Sequence, residues 1–164
     1  HNIPYSTFQM RYTPINIEKD QEWNDKIVFI PDNNEKEDFS KEVYSRLCKR
    51  FGKKQVYVIG DKKTWLHKKN HLIHNKNYHS IIYKEIMKIL NSCKCVITPA
   101  TDWTGILNLQ QVPVFSWGNN IQQYKESGRF WFGNNKASII PKCGIENLMK
   151  NFNLFYNKIE EEKC

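Results

Sequence analysis

Four short apolar runs constrain this chain more than any other feature. "KIVFIP" (26–31), "QVYVIG" (55–60), "CVIT" (95–98) and "VPVFSW" (112–117) are continuous in their hydrophobicity and do not alternate. A strand that is apolar at every position has both faces covered, as in a parallel sheet with helices on either side. Between the runs the period changes. Phe39, Val43, Leu47 and Phe51 recur every four residues and stop at Gly52, which predicts an amphipathic helix. Ile82, Ile86, Ile89 and Leu90 predict a second helix from Ser80 to about Ser92, and a short one is expected from Trp103 to Gln110. Leu148, Phe152, Phe155 and Ile159 share one face of a final helix over 145–162. "ASII" (137–140) reads as a last strand and "LIH" (72–74) as a short edge strand. Strands alternating with helices in this way imply right-handed crossovers.

The fold class expected is therefore α/β: a Rossmann-like three-layer sandwich with a mainly parallel sheet, in a single domain over residues 26–164. Residues 1–25 hold Pro4, Pro14 and scattered aromatics without a period, and read as an irregular arm or linker. Hydrophobic residues make up 40% of the 164, enough for a core that needs no disulfide or metal staple. No apolar run reaches bilayer length and no secretory leader pattern opens the chain, so a cytoplasmic location is expected. The first residue is His1, so a longer parent chain or a processed terminus is expected.

Net charge is +8, from 25 Lys+Arg against 17 Asp+Glu. That excess favours anionic partners, although a solvated basic surface gives the same count. The five cysteines are odd in number and Cys95 lies in an apolar strand, a pattern of reduced, buried thiols. His67, His71, His74 and His79, with Cys93 and Cys95, are candidate zinc ligands. The two cysteines, however, fall across a helix–strand junction and no C-x-x-C pair exists, so no metal site is assigned.

In a sheet of this kind ligands bind beyond the carboxyl ends of the strands. The chain has suitable residues at each end: Pro31-Asp32-Asn33, Gly60-Asp61-Lys62-Lys63, Thr98 to Gly105, and Trp117-Gly118-Asn119. The cluster Thr101, Asp102, Thr104, Gly105 opens a helix. Free amides there, helped by threonine hydroxyls, suit a phosphate, and Gly105 permits close approach. The same residues also make an ordinary helix cap, so both readings stand at this point. G-x-G-x-x-G, G-x-x-x-x-G-K-[ST] and G-x-S-x-G are all absent.

"KIVFIPDNNE", "QVYVIGD", "IMKILNSCKCVITPATDWTGILN" and "VPVFSWG" together resemble the C-terminal, donor-binding half of GT-B type glycosyltransferases, built from two Rossmann-like domains and heptosyltransferase-like in pattern. The resemblance covers roughly residues 26–118. It implies a metal-independent transferase that needs no cofactor and takes a nucleotide-diphosphate sugar as substrate. Thr104 and Gly105 would hold the donor diphosphate, Asp102 and Asn108 would lie near the sugar, and Gly60 and Lys62 would line the nucleotide side. The expected partners are an acceptor glycan or lipid-linked sugar and a missing N-terminal Rossmann-like domain, from which the catalytic base would come. Trp103 stands between Asp102 and Thr104, and Asn108 occupies the position of the family's His.

Two other readings accompany this one. The lysine-rich loop from Lys62 to Lys69 and the aromatics Trp65, Trp131 and Phe132 fit a basic nucleic-acid-binding module. The altered "DWTGILN" fits a non-catalytic interaction protein with a degenerate glycosyltransferase fold.

Overall fold

The computed structural model describes residues 16–31, 36–60, 80–119 and 134–162. The expected strand at 72–74, Lys62 and its basic loop, the four histidines named above, Trp65, Trp131 and Phe132 lie outside them. The described chain runs β1 (Ile27–Phe29), α1 (Glu37–Phe51), β2 (Val56–Val58), α2 (Ser80–Ser92), β3 (Cys95–Pro99), α3 (Asp102–Leu109), β4 (Val114–Gly118), β5 (Ala137–Pro141) and α4 (Ile145–Glu161). In the arm before β1, one 3-10 turn spans Gln21–Trp23, and the Asp20 N–H binds Ser92 Oγ at 2.8 Å.

All five strands pair in parallel, in the order β2-β1-β3-β4-β5. The register explains the continuous apolar runs. Along each strand, alternate residues face opposite layers. Ile27, Phe29, Cys95, Ile97, Phe115 and Trp117 meet α1 and α4 through Val43, Leu47, Leu148, Phe152 and Phe155. Val28, Ile30, Val96 and Val114 meet α2 and α3 through Ile86, Leu90 and Leu107. The result is an α/β three-layer sandwich of Rossmann-like form, as the sequence predicts. The α1/α4 layer is aromatic: the Phe115 ring lies 5.5 Å from Phe152 and 5.6 Å from Phe155. Each such buried side chain contributes about 1.5–3 kcal/mol from area alone.

Helix boundaries follow local chemistry. Gly52 ends α1 with φ 86°, a conformation that favours glycine, and its N–H closes on the Cys48 carbonyl at 2.9 Å. The short α3 ends in a left-handed residue, Gln111, with φ 56°, which turns the chain directly into β4.

Strand order places the candidate site. The chain steps from β1 outward to β2, then crosses back to β3 on the other side of β1. The order therefore reverses between β1 and β3, where their carboxyl ends open a crevice.

Candidate functional site

Three strand ends converge at this edge. The Ile30 N–H donates to the Ile97 carbonyl at 2.8 Å, so β1 and β3 stay paired up to the buried Pro31. Gly60, after β2, has φ 157°, and a Cβ there would stand 3.4 Å from Pro31 Cγ. That is ordinary van der Waals distance, so Gly60 lies beside the end of β1. After β3, Ala100 N–H donates to the Trp117 carbonyl at 2.7 Å, and α3 begins two residues later.

The first turn of α3 has the outline of a capping box that closes on one side. Thr101 N–H donates to Thr104 Oγ1 at 3.3 Å, while Thr104 N–H is taken by the Thr101 carbonyl at 2.9 Å. The buried Thr101 Oγ1 has no hydrogen-bond partner among the described residues. Among the described residues the Asp102 and Trp103 amides also have no acceptor, as expected of the first turn of a helix. These N–H groups carry the positive end of the helix dipole to the crevice. Asp102 is exposed beside them, and its acid group at this position stabilises the helix start.

Behind the turn runs a buried polar seam. Thr104 Oγ1 lies 3.1 Å from Ser116 Oγ and 3.3 Å from the Pro99 carbonyl. Ser116 Oγ donates to the Thr98 carbonyl at 2.7 Å, and Thr98 Oγ1 to the Pro99 carbonyl at 3.1 Å. Farther along α3, Asn134 Nδ2 donates to Asn108 Oδ1 at 3.1 Å and to the Val112 carbonyl at 2.8 Å. Asn134 Oδ1 in turn accepts the Lys136 N–H at 3.0 Å. Thr98, Thr104, Asn108, Ser116 and Asn134 are all fully buried. Buried groups satisfied in this way hold one arrangement, because every alternative strands a polar atom. The seam locks α3 against β3, β4 and the segment before β5.

The residues singled out from the sequence thus separate. Thr101, Asp102 and the α3 amides follow the end of β3, while Gly60 follows β2, with β1 between the two strands. Thr98, Thr104 and Asn108 turn inward and serve the seam. Gly105 is buried in the first turn of α3. Trp117 faces the opposite layer, 6.1 Å from Phe39, and Gly118 ends β4 with its carbonyl bound by the Lys142 N–H. Sequence reasoning missed Ser116 and Asn134. Ser116 was hidden inside an apolar run, and its one signal was a hydroxyl at a position where a buried strand calls for Val or Ile.

The described residues contain no group of three His, Cys, Asp or Glu able to hold a metal ion. Burial pushes the Cys93 thiol well above its ordinary range, with Cys95 adding to the shift, so this sulfur stays neutral and unreactive. No helix among the described residues is long and apolar enough to cross a membrane. No family model, curated protein or solved structure matches the chain.

Proposed function

We propose that this domain binds the diphosphate of a nucleotide sugar at the carboxyl edge of its sheet, as the donor-binding half of a glycosyltransferase. One observation carries the reading. Among the described residues the amides of Asp102 and Trp103 have no acceptor, and they follow β3, beside the point where the strand order reverses. An anion there gains oriented N–H donors that need no rearrangement, because the seam already fixes α3. In a transfer reaction the same donors would stabilise the leaving diphosphate electrostatically. The sugar would pass to an acceptor hydroxyl on a glycan or lipid-linked sugar, with the base supplied by a second Rossmann-like domain.

The inward turn of Thr104 and Asn108 refines the expectation drawn from the resemblance. On this reading the diphosphate is held by backbone amides and not by the Thr104 hydroxyl. It also gives substance to the second reading, a non-catalytic relative, because two side chains that would face a donor are committed to packing.

A thermal-shift panel with UDP, ADP, GDP and CDP tests the proposal. A ligand at about 100 times its dissociation constant stabilises by roughly 2.7 kcal/mol, on the order of 5–10 °C for a chain of this size. The expected result is such a shift with at least one nucleoside diphosphate. Absence of a shift with all four overturns the donor-site reading. A shift with a single-stranded oligonucleotide alone supports the nucleic-acid module in its place.

A further inference from the structure

We infer that the cavity between the N-terminal arm, α2 and the C-terminal half of α3 is a second binding site, for a small molecule with an aliphatic chain and an uncharged, hydrogen-bonding head. It is separate from the strand-end site, and failure of nucleoside diphosphates to bind would leave it standing.

The arm has no period in the sequence, yet the fold ties it down. Ile17 packs against the cluster that holds Met87 and Leu107. The Asp20 N–H is bound by Ser92 Oγ, which itself donates to the Lys88 carbonyl at 2.7 Å. Trp23 meets the Tyr57 ring edge-on, with centroids 4.8 Å apart. Held at these points, the arm forms one wall of a cavity of about 710 Å³, with α2 and α3 as the others. That volume lies inside the roughly 300–1,000 Å³ range of small-molecule sites.

The lining selects the ligand class. Among the described residues its apolar part is aliphatic: Ile17, Met87, Ile106 and Leu109. Unbranched Met87 can adapt its shape to a neighbour. A flexible alkyl chain matches such a lining and gains from each methylene it buries. The charged lining residues balance, with Lys84 and Lys88 against Glu18 and Glu85. A charged head would meet attraction and repulsion together, with its desolvation cost left standing. A neutral head avoids that cost. Gln110 adds direction: its Oε1 is buried and, among the described residues, has no donor. A hydroxyl or amide hydrogen of the head group would satisfy it.

Isothermal titration of the full chain with decyl maltoside, below its critical micelle concentration, tests the inference. Maltose, decanoate and decyltrimethylammonium serve as comparisons. Decyl maltoside should bind saturably, one molecule per chain. Maltose alone should not bind, and both charged amphiphiles should bind at least about tenfold more weakly. Ile17→Gln and Leu109→Gln each put a polar group into the lining at a half-buried position, and should each lose about tenfold in affinity. Leu154→Gln, at an exposed leucine of α4 outside this cavity, should bind as wild type does. Thermal unfolding checks that every variant folds. Nonsaturating uptake, or unchanged affinity in both Ile17→Gln and Leu109→Gln, would overturn the inference. An equal loss in Leu154→Gln would mean adsorption to the surface and would overturn it too. Decanoate binding as tight as decyl maltoside would overturn the neutral-head assignment. A wild-type dimer that Leu109→Gln dissociates would give the cavity to a second copy of the chain, and would overturn the ligand site.

Discussion

The two faces of the sheet are built from different materials. On the α1/α4 face, Phe115, Trp117, Phe152 and Phe155 pack ring against ring, and Phe51 closes on Phe152 and Tyr156. On the α2/α3 face the strands contribute smaller aliphatics, and toward α3 the core is threaded by Thr98, Thr104, Ser116, Asn108 and Asn134. The aromatic face supplies stability without direction: large area, few orientation requirements. The polar seam supplies direction at lower net stability, because each hydrogen bond in it mainly repays its own desolvation. A helix start held in one fixed orientation calls for the second material. The seam lies directly behind that helix start.

Substitutions on the two faces should separate these roles. The largest effect is expected from Phe115→Ala, which empties the centre of the aromatic face. It should cost about 3–5 kcal/mol in urea unfolding and leave the ligand affinity of the folded fraction unchanged. Asn134→Ala follows at about 2–3 kcal/mol, since it removes three buried hydrogen bonds, to the Val112 carbonyl, Asn108 Oδ1 and the Lys136 N–H. Unlike the first change, it should also weaken nucleoside diphosphate binding, because α3 loses its tie to the segment before β5.

Thr104→Val is a finer probe. It should cost about 1 kcal/mol, because Ser116 keeps its bond to the Thr98 carbonyl. Nucleotide affinity should change less than about threefold, well under 1 kcal/mol. A tenfold loss without a matching loss of stability would return the Thr104 hydroxyl to the ligand site. The smallest effect is expected from Asp102→Asn. It should lower stability by about 0.3–1 kcal/mol through the helix dipole. It should also tighten pyrophosphate binding a few-fold, by removing a like charge from the anion seat.

The fold was legible in the sequence for a plain reason. Continuous apolar runs such as "CVIT" and four-residue periods such as Phe39 to Phe51 are local signals, and the sheet required nothing else. Boundaries moved slightly: α3 starts at Asp102, one residue before the expected Trp103, because Asp102 is already in helical geometry, and α4 stops at Glu161. The site was legible only as a place. The strand ends and the start of α3 were visible in "TPATDWTG", but the direction of each side chain was not. Thr104 is the third residue of its helix, where a hydroxyl can turn outward to a ligand or back to the cap. The choice was made by Ser116, a partner twelve residues away. Asn108 is paired with Asn134 across 26 residues, a contact to which no local period points. Trp117 shows the same limit: its run reads as buried, but which layer it enters depends on the register of β4 against β3.

The central claim is that an anion-bearing ligand is held by the amides at the start of α3. The most direct measurement is a titration of the 15N-labelled chain with nucleoside diphosphates, followed by amide chemical shifts. The expected result is saturable shifts concentrated at Ala100, Thr101, Asp102 and Trp103, with smaller ones at Ile30 and Gly60. Shifts confined to lysines on the outer surfaces of α1 and α4, or a nonsaturating drift across the whole surface, would contradict it.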